Sequence, residues 1–96
     1  MYIDKQIRKL RVWWMPQVPM KPFYTSVNNV EEAVQIMGVL AQYDIFQFEN
    51  NIKGDYCNVG GLQEYFVDEN AWLDWYDEET GIENPEEWLF YKQQQK

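Results

Sequence analysis

Alternating apolar and polar residues predict two short strands near the start of the chain. Between positions 9 and 15 the alternation places Leu10, Val12 and Trp14 on one face of a strand and basic residues on the other. Three prolines follow, and they exclude a helix or a central strand from the connection. Residues 23–27 alternate again and predict a second strand.

The pattern then becomes helical. An asparagine at position 28 or 29, each with a glutamate three residues later, predicts a capped helix start. Apolar residues recur at spacings of three and four and form one stripe: Val30, Ala33, Val34, Met37, Leu40 and Ala41. Over positions 43–50 they recur at every second position instead, which predicts that the helix has ended and a strand has begun.

Beyond position 50 the chain alternates between turn signals and short apolar runs. Residues 50–61 are rich in Asn and Gly and predict the longest loop. Residues 62–67 and 71–76 predict a hairpin, and an acidic turn follows it. Asn84 before Pro85 predicts a last helix, because asparagine caps helices and proline fits the first helical position.

Together these elements predict an α+β fold with the order β-β-α-β-β-β-α. We expect a single, mostly antiparallel sheet with the helices packed on one of its faces. The 96 residues are enough for one domain and too few for two ordinary ones. We therefore expect one domain over residues 1–96, with an N-terminal arm at 1–7 and a polar tail at 93–96.

Composition excludes several kinds of chemistry. The chain has no histidine and one cysteine, Cys57, which excludes a Ser-His-Asp triad, a Cys-His dyad and a zinc site built on His or Cys. Acidic residues at positions 74–79 do not match the spacing of a calcium loop. No apolar run reaches the roughly 20 residues that span a membrane. We expect no catalytic residue, metal, cofactor, signal peptide or membrane partner.

Charge is distributed unevenly around a formal net charge of −8. Residues 1–27 carry five basic side chains and one acidic, whereas residues 64–87 carry ten acidic side chains and no Lys or Arg. One interpretation is a solvated acidic surface attracted to the basic segment; the other is a surface that binds a basic partner, as nucleic-acid mimics do. Direct nucleic-acid binding is disfavoured, because phosphate contacts need a basic surface.

The Asn- and Gly-rich loop is the first candidate site. Glycines there can take positive φ and expose backbone N–H groups to an anion, while a lysine adds charge and asparagines add hydrogen-bonding groups. The candidates are Asn50, Lys53, Gly54, Asn58, Gly60 and Gly61. The alternative is an ordinary connection whose asparagines cap turns.

Surplus aromatic residues are the second candidate site. Five Trp, seven Tyr and five Phe exceed what a small core needs. The aromatic residues that cannot all be interior are Trp13, Phe23, Tyr24, Tyr56, Tyr65, Trp72, Trp75 and Tyr76. Neighbouring residues of a strand point to opposite faces, so Trp13 and Trp14 do so, as do Trp75 and Tyr76. One member of each pair needs a second subunit or a planar ligand to cover it. The alternative is that these aromatic side chains are buried in the core of a small sheet. We expect a homo-oligomer.

Four stretches carry a resemblance: KPF at 21–23, DIFQFEN at 44–50, KGDYCNVGGL at 53–62 and DWYDEETG at 74–81. They are similar to short accessory proteins of tailed bacteriophages, over residues 8–83 and without an active-site motif. The resemblance implies a phage protein that is expressed in the host bacterial cytoplasm and counters host defence. Proteins of this class occupy a defence protein or sequester a nucleotide immune signal.

The leading hypothesis is a non-catalytic protein that sequesters a nucleotide-derived immune signal. A base would stack on aromatic rings, and basic residues with backbone N–H groups would hold phosphates. The predicted ligand-binding residues are Arg11, Lys21, Phe23, Tyr24, Asn50, Lys53, Tyr56, Asn58, Gly60, Gly61 and Trp75. The alternative is an acidic inhibitor that occupies the nucleic-acid groove of a host nuclease, CRISPR or restriction effector. A virion or assembly component is a third possibility.

Overall fold

The computed structural model describes residues 9–52 and 57–95 and contains one antiparallel sheet with two helices. The elements are β1 (Leu10–Met15), β2 (Phe23–Val27), α1 (Val30–Glu49), β3 (Val59–Phe66), β4 (Ala71–Asp74) and α2 (Pro85–Gln94). The strands lie in the order β2-β1-β3-β4, so β1 and β3 are central. The α+β class and the antiparallel sheet with helices on one face are confirmed.

The hydrophobic core lies between α1 and one face of the sheet. In β1 the predicted alternation is confirmed, because Leu10, Val12 and Trp14 are all buried and Val12 is fully so. Leu62 of β3 packs into the same cluster, together with Trp75 just after β4. The burial of these side chains is the main source of stability for so small a sheet.

Helix α1 begins as predicted and ends later than predicted. Asn29 is the N-cap, its side chain accepting the Glu32 N–H at 2.7 Å, while Glu32 accepts the Asn28 N–H at 2.6 Å. The strand predicted over 43–50 is wrong, because α1 continues to Glu49. The period-two apolar pattern there does not reflect burial, since Phe46 and its apolar neighbours are exposed and the buried residue is Asp44.

The loop predicted over 50–61 is also shorter than expected. β3 begins at Val59, so Gly60 and Gly61 lie in a strand and pair with Trp14 and Trp13 of β1. Neither uses the positive φ that glycine can adopt; among the described glycines only Gly81 does so. Glycine is needed here for its size, because a Cβ at Gly60 would lie 2.2 Å from the Trp14 ring.

The C-terminal part follows the predicted hairpin, acidic turn and helix, with shifted ends. β4 ends at Asp74, two residues before the predicted end of the hairpin. Asn84 caps α2 by accepting the Glu87 N–H at 3.0 Å, and Pro85 occupies the first turn. Because α2 runs to Gln94, the first two residues of the predicted polar tail are helical. The predicted arm at 1–7 lies outside the described residues.

Candidate functional site

The face of the sheet turned away from α1 carries both aromatic and basic side chains. β1 places there the residues that alternate with its buried ones, and the antiparallel register brings partners from the other strands beside them. Both described helices pack on the opposite side, where the core lies. We call this surface the cation–aromatic face and define it by Lys9, Arg11, Trp13, Tyr24, Gln63, Tyr65 and Trp72.

Arg11 is the centre of the cation–aromatic face. Its guanidinium carbon lies 3.8 Å from the centroid of the Tyr24 ring and 4.3 Å from that of Trp72, so one cation is held between two aromatic rings. Its Nε–H also donates to the Gln63 side-chain oxygen at 2.8 Å. A guanidinium stacked in this way has a fixed orientation, with its Nη groups as the remaining donors.

A second cation and ring pair extends the face toward β4. Lys9 Nζ lies 5.6 Å from the centroid of the Tyr65 ring, and Tyr65 meets Trp72 edge to face with their centroids 5.4 Å apart. The Tyr65 hydroxyl donates to the Asn70 side-chain oxygen in the hairpin turn. The rings of two strands are thus held in place by contacts with one another and with cations.

This face concentrates positive charge in an acidic chain. Of the four basic side chains in the described part of the chain, Lys9 and Arg11 lie here, while Lys21 and Lys92 lie elsewhere. Asp74, which pairs with Gln63 across β3 and β4, is the exposed carboxylate at its edge. The arrangement fits a planar anion, because a flat ring can stack on the aromatics while a charged group meets Arg11.

A cleft of about 460 Å³ is the second candidate site, on the covered side of the sheet. Its walls are mostly apolar, with Trp14 and the Gly60–Gly61 backbone on one side, Met37 of α1 on another and Glu86 at the start of α2. No basic side chain is among its lining residues, and Glu86 repels anions. The cleft therefore suits an apolar group better than a phosphate.

Asp44 holds two of the residues that line this cleft, Trp14 and Asn58. Although it is only 3% exposed, its Oδ2 accepts the Trp14 indole N–H at 3.0 Å and the Asn58 amide at 2.8 Å. A buried carboxylate is costly unless such donors satisfy it. Asp44 thereby ties α1 to β1 and to the residue just before β3, and Asn58 acts here as a structural partner.

Acidic side chains occupy the surface formed by the hairpin, the following turn and α2. Eight of the ten acidic residues between positions 64 and 87 are exposed, and Glu64 and Asp77 are half-buried. Asp77 Oδ2 accepts the Thr80 hydroxyl at 2.8 Å and the Thr80 backbone N–H at 3.0 Å. The hydrogen bond from the Thr80 hydroxyl lowers the pKa of the Asp77 carboxyl below its ordinary value.

The predicted site residues do not form one cluster. Arg11 and Tyr24 lie together on the cation–aromatic face, and the cleft brings three others together. Phe23 is exposed on the other face of β2, Lys21 is exposed in the proline-rich connection, and Asn50 is the C-cap of α1. The three in the cleft are Asn58, Gly60 and Gly61. Lys53 and Tyr56, together with Gly54, lie outside the described residues.

One prediction about these residues is corrected by the structure. Trp75 is 3% exposed and belongs to the core, with its ring 6.0 Å from Trp88 in an edge-to-face contact. A base cannot stack on an indole that both helices and the sheet enclose. The ring that takes this place on the cation–aromatic face is Trp72, three residues earlier in the chain.

Sequence reasoning counted Trp13 and Trp72 among the surplus aromatic residues, but it selected neither of them, nor Gln63 or Asp44, as a ligand-binding residue. The signal for the first three was the register: Arg11 pairs with Gln63, Gln63 with Asp74, and Tyr65 with Trp72, which puts all of them on one face. The sequence alone did not show which residue of β3 pairs with which residue of β1 and β4, because the start of β3 was predicted three residues too late. Asp44 carried no sequence signal, since a charged residue in a helix is usually exposed.

Two kinds of feature are absent from the described parts of the chain. No group of three or more Cys, Asp or Glu side chains lies close enough to hold a metal ion within residues 9–52 and 57–95. Neither of the helices described there is long and apolar enough to cross a membrane.

Comparison with known proteins identifies the family. Residues 9–94 match the family model described as superinfection exclusion gene product 17. A superinfection exclusion protein of Salmonella phage P22 is 50% identical over 92 residues, which cover 84% of this chain and 89% of that protein. No solved structure matches the chain. The resemblance to short phage proteins is confirmed, and the chain belongs to the superinfection exclusion gene product 17 family.

Proposed function

We propose that this family member acts in superinfection exclusion as a non-catalytic binding protein whose cation–aromatic face holds a nucleotide-like ligand. In an infected bacterium the protein would bind a nucleotide-derived signal and so keep it from a defence system. The observation that carries this proposal is the stacking of Arg11 between Tyr24 and Trp72 on the side of the sheet away from both described helices.

The chemistry of the face matches the two parts of a nucleotide. Stacking on an aromatic side chain stabilises a bound base by about 1–3 kcal/mol. Arg11 donates its Nε–H to Gln63, which fixes the plane of the guanidinium and turns its other N–H groups toward an incoming phosphate. Lys9 lies close enough along the same strand to add a second charge. No part of this arrangement needs a nucleophile or a general base.

A binding titration tests the proposal. The purified chain is titrated by calorimetry with adenosine, inorganic phosphate, AMP, ATP and a cyclic dinucleotide. We expect at least one nucleotide to bind, and adenosine and phosphate alone to bind at least about tenfold more weakly, since each lacks one of the two contacts. Absence of binding to every nucleotide at millimolar concentration contradicts the proposal.

Matched variants locate the site. Arg11→Gln and Trp72→Leu should each weaken nucleotide binding by about tenfold or more, because each removes one contact of about 1.4 kcal/mol or more. Lys92→Gln and Tyr91→Ala are the controls, since they remove a cation and an exposed ring from α2. Equal losses in the α2 variants would show that the cation–aromatic face is not the site.

The exposed acidic surface supports a second candidate function, the capture of a basic host protein in place of nucleic acid. Eight exposed carboxylates between positions 64 and 87 would steer such a partner by long-range attraction. This function predicts capture that weakens strongly between about 50 and 200 mM salt, whereas binding of a small nucleotide changes much less. Capture that does not respond to salt excludes it.

A further inference from the structure

A small cavity opens where β4 ends, beside the cation–aromatic face. β4 pairs with β3 only from Gln63 to Phe66, so it does not cover the edge of β3 at Gly61. A cavity of about 260 Å³ lies at this place. Its aromatic and polar lining residues are Trp13, Asp74, Glu83 and Asn84. Because Trp13 belongs to the cation–aromatic face and Asp74 lies at its edge, the cavity is continuous with that face.

The indole of Trp13 forms the flat wall of this cavity. A Cβ at Gly61 would lie 2.7 Å from Trp13 Nε1 and 3.2 Å from Cε2, so the ring lies over the glycine backbone. No cation stacks on this ring within the described residues, whereas Lys9 and Arg11 occupy the other rings of the face. The Trp13 ring is therefore available to stack on a planar ligand.

The hydrogen-bonding groups of the cavity are mainly acceptors. Asp74 and Glu83 are exposed, and within the described residues neither side chain has a hydrogen bond or an ion pair. An ionised carboxylate accepts two parallel hydrogen bonds and donates none. The Asn84 side-chain oxygen accepts the Glu87 N–H, which leaves the Asn84 amide N–H groups as donors. The cavity therefore suits a ligand with two adjacent donors and an acceptor beside them.

The cavity lies within reach of a ligand whose anionic group meets Arg11. Arg11, Gln63 and Asp74 occupy one row across β1, β3 and β4. Because neighbouring strands are about 4.8 Å apart, the backbone of Asp74 lies about 10 Å from that of Arg11. A mononucleotide extends over a comparable length from its 5′-phosphate to the far edge of its base. The phosphate can meet Arg11 while the base enters the cavity, away from the carboxylates' repulsion of the phosphate.

We infer that this cavity selects guanine as the base of the bound nucleotide, an inference that rests on the proposed function. The base stacks on Trp13, Asp74 accepts the guanine N1–H and N2–H groups, and Asn84 donates to O6. Guanine alone among the common bases has two adjacent donors on its Watson–Crick edge. Adenine places a ring-nitrogen acceptor beside its amino group, and a carboxylate repels that acceptor.

A calorimetric titration of the full chain with GMP, IMP and AMP tests the selection. GMP should bind at least about tenfold more tightly than AMP, and IMP, which lacks the 2-amino group, should bind about tenfold more weakly than GMP. Equal affinities for GMP and AMP overturn the guanine selection, while the proposed function stands if Arg11→Gln weakens both. Absence of binding of all three nucleotides overturns the selection and the proposed function together.

The Asp74→Asn variant separates base recognition from simple electrostatics. Loss of a carboxylate reduces the repulsion of the phosphate, so a purely electrostatic role of Asp74 would raise the affinity for GMP and AMP alike. If Asp74 recognises guanine, Asp74→Asn lowers the affinity for GMP about tenfold and does not lower that for AMP. The matched control Asp68→Asn removes an exposed carboxylate in the hairpin turn and should keep the preference for GMP. A preference for GMP that persists in Asp74→Asn overturns the proposal.

Discussion

The two faces of the sheet contain similar residue types and hold them by different means. On the covered face, Trp14 is 7% exposed and its indole N–H is bound to the buried Asp44. On the cation–aromatic face, Tyr24 is 45% exposed and its ring is held by the guanidinium of Arg11. Rings on the first face stabilise the fold, whereas rings on the second remain accessible to a ligand. Aromatic content alone does not separate these roles.

The largest expected effect comes from the neighbouring residues Trp13 and Trp14, which lie on opposite faces. Trp14→Ala should lower the free energy of unfolding by about 3–5 kcal/mol, because it empties a buried site and removes one of the hydrogen-bond donors to the buried Asp44. Trp13→Ala should lower it by about 1–2 kcal/mol, because Trp13 is half-buried and opens no enclosed cavity. Urea unfolding followed by far-UV circular dichroism measures both. Similar losses in the free energy of unfolding would mean that both faces contribute equally to stability, and would contradict the contrast between them.

The two adjacent glycines of β3, Gly60 and Gly61, face opposite sides of the sheet, and replacing each by alanine should have a smaller effect on stability. A Cβ at Gly60 would lie 2.2 Å from the Trp14 ring and 2.8 Å from the Trp13 carbonyl oxygen, and both neighbours are fixed. A Cβ at Gly61 would lie 2.7 Å from Trp13 Nε1, on a half-exposed ring that can turn away.

Gly60→Ala should therefore lower the free energy of unfolding by about 2–3 kcal/mol, and Gly61→Ala by about 1 kcal/mol or less. Thermal unfolding of the two variants beside the wild type measures the difference. A larger loss in Gly61→Ala would show that the Trp13 ring is held as firmly as the Trp14 ring, and the contrast between the faces would fail.

Asp77 provides the smallest effect and a reference point away from both faces. Because the Thr80 hydroxyl lowers the pKa of Asp77 in the folded state, the contact stabilises the protein above the unfolded pKa and is lost as the pH falls through the lower folded value. Thr80→Ala should cost below about 1 kcal/mol at pH 6, and the difference from wild type should shrink toward pH 2. If the difference in free energy of unfolding between wild type and Thr80→Ala stays constant from pH 6 to pH 2, the Thr80 hydroxyl does not stabilise the ionised form of Asp77.

The sequence predicted the fold more completely than the site. Local signals sufficed where the cause is local. The side chains of Asn29 and Asn84 cap their helices by accepting the backbone N–H three residues later, and the alternation in β1 identifies the buried face. The false strand at 43–50 came from apolar residues that are exposed in the structure. The spacing of apolar residues in a sequence does not show whether those residues are buried in the core, bound by a partner or exposed.

The site was harder to predict because it depends on contacts between strands. Arg11 and Tyr24 were both listed as binding residues, and they lie side by side because their strands are neighbours; Trp72 reaches them only through the register of β3 and β4. Trp75 was selected because one of the neighbours Trp75 and Tyr76 needs to be covered; it is three residues from Trp72 and therefore lies on the opposite face, in the core. Gly60 and Gly61 were assigned to a loop because glycine has two uses, conformational freedom and small size, and sequence alone does not distinguish them.

The most direct test of the central claim uses the five tryptophan indole N–H signals in a two-dimensional ¹H–¹⁵N NMR spectrum during a nucleotide titration. If the cation–aromatic face binds the ligand, the signals of Trp13 and Trp72 shift in a saturable way, while those of Trp14, Trp75 and Trp88 stay within the line width. Shifts confined to the covered tryptophans, or no shift of any indole at millimolar nucleotide, would contradict the account.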